Sequence, residues 1–179
     1  MQRIDELLRI EPAIRDRADA VAGLEIRGEI ELRGLSFRYP GADREPVLRD
    51  LSLRVPAGTT LGVVGPVGSG KSTLAALVPR LFEVEDGMLF LDGVDVNRIP
   101  LRALRSQIAM VPQESFLFSM TLADNVAFGL PRTETEAVRR AAERAQLAAD
   151  AAELPDGYET VVGERGVKLS GGQRQRAAL

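Results

Sequence analysis

The 179-residue sequence contains no cysteine and no histidine. The first absence excludes a disulfide framework and any thiolate nucleophile or ligand. The second removes imidazole, the usual base near neutral pH and a common metal ligand, from every mechanism open to this chain. No apolar run reaches the roughly 18–20 residues that cross a bilayer, and the N-terminus lacks the apolar core of a signal peptide. A net charge of −3 gives no basic footprint for nucleic acid. Internal repeats and low-complexity tracts are also missing. What is present, 45% apolar and 27% charged residues, suits a soluble globular domain long enough to bury a core.

Residues 1–22 are charged and weakly helical, with Ile4, Leu7 and Leu8 on one face and Pro12 interrupting. This is a connector or, alternatively, a packed N-terminal helix. Ile30–Arg33 with Leu35–Phe37, and then Leu51–Val55, alternate apolar and polar residues, which predicts antiparallel strands with one solvated face. Thr60–Val64 is apolar without alternation, as a strand buried on both faces should be, and Met88–Leu91 and Ile108–Val111 read as further short strands. From Ser72 the spacing of Leu74, Leu77, Val78 and Leu81 predicts a helix that Pro79 kinks or ends. Thr133 with Glu136 forms a capping box that opens a second helix, with Val138, Ala141, Ala142, Ala145, Ala149 and Ala152 on its apolar face and Pro155-Asp156-Gly157 stopping it.

Between the buried strand and the first helix lies Gly65-Pro66-Val67-Gly68-Ser69-Gly70-Lys71-Ser72-Thr73, of the form G-x-x-x-x-G-K-S. A triphosphate needs many donors at close range. Gly65, Gly68 and Gly70 are expected to adopt positive φ angles, so that backbone N–H groups around Ser69 converge as an anion nest. The helix beginning near Lys71 adds its positive dipole end. In loops of this class the Lys71 ammonium reaches the β- and γ-phosphates, the Ser72 hydroxyl ligates Mg²⁺, and Thr73 supports the α-phosphate. The bland alternative is a glycine-rich turn, but strand, loop and helix occur in the required order.

A second motif, Leu169-Ser170-Gly171-Gly172-Gln173, completes a pattern that resembles the nucleotide-binding domain of ABC transporters, specifically of the exporter type, over nearly the whole chain. The resemblance implies a P-loop NTPase fold of the α/β class: a mixed or parallel core sheet, a small antiparallel β-subdomain, and an α-helical signature subdomain at about 114–170 within a partial domain at 23–179. It makes Tyr39 the aromatic residue that stacks on adenine, against the alternative of a strand-end tyrosine packed on the small sheet. Gln113 resembles the glutamine that contacts Mg²⁺ and the attacking water. The segment 160–166 resembles the exporter-type stretch that meets the membrane domains. Ser170, Gly171, Gly172 and Gln173 are expected to face the γ-phosphate held by a second nucleotide-binding domain, in a homo- or heterodimer. Arg3–Leu8 with Glu11-Pro12 resembles the link from an exporter's last transmembrane helix, so transmembrane domains are expected upstream and the cytoplasmic face of the plasma membrane is the expected location. ATP and Mg²⁺ are the expected cofactors; nucleic acid is not an expected partner.

Met88–Asp92 imitates a Walker B strand, but it precedes the signature and Gly93 stands where the catalytic carboxylate belongs. It reads instead as part of a structural hairpin over Gly87–Asp95. The sequence closes at Leu179, and a Walker B strand, catalytic glutamate and switch histidine are expected beyond it. The chain by itself is therefore expected to bind Mg-ATP, with Lys71 and Gln113 in place, without turning it over. It is also expected to be prone to aggregation through the open edge of the Thr60–Val64 strand. A soluble ABC ATPase of an importer or translation factor, and a regulatory module that binds without hydrolysis, remain alternatives. A chromosome-maintenance ATPase would need a long coiled coil between the two motifs, and no sustained heptads are present.

Overall fold

The computed structural model describes residues 12–21, 23–41, 45–130, 134–164 and 166–179. The chain forms two compact units, Met1–Ala109 and Met110–Leu179. In the first, strands β1 (Ile30–Phe37), β2 (Leu48–Val55), β3 (Leu89–Leu91) and β4 (Val94–Asp95) make an antiparallel sheet of order β2-β1-β3-β4. Leu32 and Leu35 are three residues apart, which strict alternation would send to opposite faces. A register shift between them, with Gly34 at φ +56°, turns both into the core. Two hydroxyls serve the backbone where the ladder slips: Ser52 accepts from the Gly34 N–H at 2.9 Å and Ser36 from the Asp50 N–H at 3.0 Å.

Asp92 and Gly93 connect β3 to β4 with φ values of +48° and +78°, a two-residue turn whose twist suits a hairpin. Helices α1 (Lys71–Leu77) and α2 (Leu101–Gln107) pack on the sheet through Leu77 and Leu104, in a core that also takes Phe37, Leu48, Val84, Leu91, Val96 and Ile99. Helix α1 ends before Pro79, as its sequence predicts. Residues 12–21, expected as a connector, are held to this unit by several polar contacts. The Asp16 carboxylate accepts from the Leu101 N–H at the start of α2, Arg17 pairs with Asp86, Asp19 pairs with Arg98, and the Val21 N–H donates to the Arg98 carbonyl. Residues 1–11 lie outside the described residues, and with them the reading of Arg3–Leu8.

Two expected strands are not formed. Thr60–Val64 and Ile108–Val111 join no ladder among the described residues. Leu61 and Val63 are each 46% exposed and Val64 is 94% exposed, the reverse of burial on both faces. Apolar composition creates the demand for a strand, but a neighbour must supply its hydrogen bonds, and the four-stranded sheet presents none to this segment. Among the described residues the parallel sheet implied by the resemblance is not formed, whereas the small antiparallel sheet is present.

The second unit is helical: α3 (Leu122–Val126), α4 (Thr135–Arg144), α5 (Ala148–Ala152) and α6 (Gly171–Ala177) surround Leu117, Leu122, Ala142, Leu147, Ala151, Val162, Leu169 and Ala177. The single helix expected from Thr133 to Ala152 is two. Gln146 adopts φ +56°, and the Leu147 N–H reaches back to the Ala142 carbonyl at 2.7 Å, a helix-ending bond that redirects the chain. Thr133 lies outside the described residues; Glu134 stands at the N-cap of α4 and makes no side-chain cap bond. Buried Asn125 accepts from the Phe118 N–H and donates to the Phe118 and Thr121 carbonyls, fixing the loop that enters α3.

Candidate functional site

The glycine-rich loop lies between Val64 and α1, and two of its glycines are required by its geometry. Gly68 and Gly70 take φ +84° and +89°, as the loop demands. Gly65 does not, which corrects the expectation for that position; a Cβ there would lie 2.8 Å from Ser69 Oγ, a contact that rotation of the serine side chain can relieve. At Gly70 both reasons hold, since a Cβ would lie 2.6 Å from a Leu48 methyl group. Backbone N–H groups of Gly68, Gly70, Lys71, Ser72 and Thr73 donate to no carbonyl among the described residues. Five unsatisfied donors on six consecutive residues are the electrostatic signature of an anion nest.

The Lys71 ammonium folds over this loop and donates to the carbonyls of Gly65 and Pro66, both at 2.7 Å, with Ser69 Oγ at 3.4 Å. Its charge is thereby held at the loop, adding to the positive potential there. Ser72 is exposed at the start of α1, its hydroxyl free of protein partners among the described residues. Thr73, by contrast, is buried, and its hydroxyl lies 2.8 Å from the hydroxyl of Tyr39. Its side chain is thus committed within the protein, leaving its N–H as the group it can offer a phosphate.

Tyr39 is half-buried at the end of β1. Its ring meets Phe37 at 5.2 Å and Phe82 at 5.0 Å, both edge-to-face, in addition to the bond to Thr73. The packing named as the alternative for Tyr39, that of a strand-end tyrosine on the small sheet, is therefore observed. Neither the Phe82 contact nor the Thr73 bond is legible in the sequence, because the partners are separated by more than thirty positions and share no motif.

Gln113 and the Leu169–Gln173 motif fall in the second unit. Gln113 is exposed; its carbonyl accepts from Gln175 on α6 at 3.5 Å, and its side-chain amide has no protein partner among the described residues. Ser170 caps α6: its Oγ accepts from the Gln173 N–H at 3.2 Å, while Gln173 Oε1 accepts from the Ser170 N–H at 2.8 Å. The Gln173 amide also donates to Asp150, so that side chain is spent on holding the helix. Gly171 and Gly172 are exposed in the first turn. Arg176 forms a forked pair with Asp150 at 2.8 and 2.9 Å, clamping α6 onto α5. Sequence reasoning missed Asp150, which has no signature of its own.

Asp92, rejected above as a Walker B residue, is wholly engaged elsewhere. Its carboxylate accepts from the N–H groups of Arg27, Gly28 and Glu29 at 2.7, 3.2 and 3.0 Å. Burial pushes its carboxyl up, but these donors outweigh burial and hold it below the ordinary carboxylate value. Asp95 likewise accepts from Gly87 and Asn97. The hairpin is a structural element. Segment 160–166 packs on the loop before α3, with Val162 bonded to the Met120 carbonyl and Glu164 exposed; Arg165 lies outside the described residues.

With this geometry in hand, known proteins offer close parallels. The family model described as ABC transporter matches residues 48–179. The chain is 41% identical over 178 residues to the ATP-dependent lipid A-core flippase of Desulfotalea psychrophila, covering 99% of this chain and 31% of that protein. It is 47% identical over 177 residues to a multidrug efflux ATP-binding/permease protein of Mycobacterium bovis, covering 99% and 15% respectively. Among solved structures, a bacterial Atm1-family ABC exporter with ATP bound superimposes with a TM-score of 0.89 at 38% identity, over 99% of this chain and 31% of that one. The chain thus spans less than a third of the length of these relatives.

Proposed function

Because this chain belongs to the ABC transporter family, as part of its ATP-binding domain, we propose that it binds Mg-ATP within an exporter whose ATP-driven dimerisation and hydrolysis power transport across a membrane. The observation that carries the proposal is the loop at 65–73, with its unsatisfied N–H groups and the Lys71 ammonium bonded to the same loop. Such donors favour a polyanion, and the Lys71 ammonium adds a charge-assisted contact to the outer phosphates. The Ser72 hydroxyl also suits a hard cation and would be a ligand for Mg²⁺, a role that the family resemblance gives to Gln113 as well. The metal supplies neutralisation of phosphate charge when bound.

The remaining roles follow from the family. Tyr39 carries the adenine. Ser170 presents its hydroxyl, and Gly171 and Gly172 their backbone, to the nucleotide of a second nucleotide-binding domain, while Gln173 maintains the cap that orients them. Transmembrane domains are partners of the assembled protein, as the combined ATP-binding/permease names of relatives suggest, and the cytoplasmic face of the plasma membrane is its place. No helix among the described residues is long and apolar enough to cross a membrane itself.

The test separates phosphate from base. Lys71→Ala removes a charge-assisted phosphate contact and weakens ATP binding more than AMP binding. Tyr39→Ala weakens both by a similar amount, about 1–3 kcal/mol. Calorimetric titration of the two nucleotides measures this, and equal losses of ATP and AMP with Lys71→Ala contradict the role given to the lysine.

A further inference from the structure

The ring of Tyr39 is held from one side. Its centroid lies 5.2 Å from that of Phe37 and 5.0 Å from that of Phe82, while the two phenylalanines are 5.8 Å apart. Three such distances make a nearly equilateral triangle, so both phenylalanines occupy the same side of Tyr39 and leave the opposite side without an aromatic neighbour. The hydroxyl is fixed separately, 2.8 Å from that of Thr73 on α1. A planar side chain restrained at its ring and at its tip has little rotamer freedom left to lose when a ligand arrives.

Each restraint has a defined origin. Phe37 ends β1 and is 5% exposed, anchored in the core of the sheet. Phe82 is delivered by the turn after α1, where Arg80 takes φ +52° and the Leu81 N–H bonds the Ala76 carbonyl at 3.0 Å. Arg80 is fully buried and donates to the Ile99 and Arg15 carbonyls, which holds that turn rigidly. Thr73 belongs to the first turn of α1, whose N–H groups form part of the anion nest. The base platform and the phosphate loop are thus joined through one hydroxyl pair.

We propose that Phe82 and Thr73 are positioning residues for adenine recognition, Phe82 buttressing the ring of Tyr39 and Thr73 tying its hydroxyl to the helix that opens the phosphate site. The proposal rests on the reading of Tyr39 as the base-stacking residue. It makes discrimination between nucleotides and bare phosphate chains depend on two side chains that touch no nucleotide base themselves.

The experiment titrates the whole chain with magnesium ATP and, separately, magnesium tripolyphosphate. Phe82→Leu weakens ATP about 2- to 10-fold, the range expected for losing an aromatic pair, and leaves tripolyphosphate within about twofold. Phe82→Tyr, which keeps the ring, restores ATP affinity. Tyr39→Phe and Thr73→Val each weaken ATP, and their double variant is no weaker than either alone, because both delete the same bond. Equal weakening of ATP and tripolyphosphate by Phe82→Leu overturns the proposal, since it marks general damage to the loop. Unchanged ATP affinity in Phe82→Leu, while Tyr39→Ala weakens ATP, also overturns it and spares the stacking reading. Unchanged affinity in Tyr39→Ala overturns the stacking reading itself. Should Phe82→Leu fail to fold, the Tyr39 and Thr73 pair decides: additive losses, or none, refute the coupling.

Discussion

Replacing Gly70 with alanine tests the local physics of the phosphate loop, because two costs coincide there. The first is backbone: φ is +89°, and an L side chain in the left-handed region costs about 1–2 kcal/mol. The second is packing, since the new Cβ would lie 2.6 Å from Leu48 Cδ2 and 3.3 Å from Val47 Cγ1 and the Val47 carbonyl. Overpacking of this kind typically costs about 1–3 kcal/mol, for a combined loss of about 2–5 kcal/mol. Gly68→Ala carries only the first cost, because φ is +84° but no atom of the described residues lies within 4 Å of its Cβ. The chain has two tyrosines and no tryptophan, so in a Tyr158→Phe background Tyr39 fluorescence reports urea unfolding of the unit containing the loop. Gly70→Ala is expected to lower stability by clearly more than Gly68→Ala. Adding Leu48→Ala should recover about 1–3 kcal/mol of the difference relative to additive behaviour, because the obstructing methyl group is gone. Equal losses at the two glycines, or strict additivity with Leu48→Ala, would refute the reasoning.

Three other outcomes follow from named contacts. Asp92→Ala leaves the Arg27, Gly28 and Glu29 N–H groups without an acceptor and destabilises the first unit by about 1–3 kcal/mol at neutral pH, read by the same tyrosine signal. Because the folded-state value of Asp92 is depressed, its contribution is complete above the unfolded carboxylate pKa of about 3.9 and fades as pH falls through the lower folded value; the wild type should lose stability there while Asp92→Ala loses less. Ser170→Ala removes the cap of α6, costing about 1 kcal/mol of stability. In the full-length protein, for which ATP-driven dimerisation is proposed above, it should leave monomer ATP binding intact but impair dimerisation measured by light scattering, and lost monomer binding with normal dimerisation would reverse that assignment. Asp150→Ala frees Arg176 and the Gln173 amide, so hydrogen exchange across Gly171–Ala177 should accelerate while that of Ile30–Phe37 stays unchanged.

The fragility of the Thr60–Val64 segment bears on handling. Val64 and Val67 are almost fully exposed, and a cleft lined by Leu32, Leu51, Leu61, Val63 and Leu74 opens beside the loop. Apolar backbone without a ladder partner invites pairing with other chains, and salt or mild heating should promote association of this chain by itself.

Features written within a few residues of one another were determined by the sequence alone. The phosphate loop and the helix after it, the Asp92-Gly93 turn, the end of α1 before Pro79, and the Ser170–Gln173 cap all depend on dihedral preferences and donors at fixed short spacing. Tertiary structure decided what distant residues do for those motifs. It brought Tyr39 to Thr73 and Phe82, set Asp150 beneath the signature helix, turned Asp92 toward residues 27–29, and divided the expected 133–152 helix at Gln146. It also left Thr60–Val64 outside any sheet among the described residues. The physical reason is the same throughout: a turn, cap or nest satisfies its own backbone groups locally, whereas a strand, a buttress or a clamp exists only when another part of the fold supplies its partner.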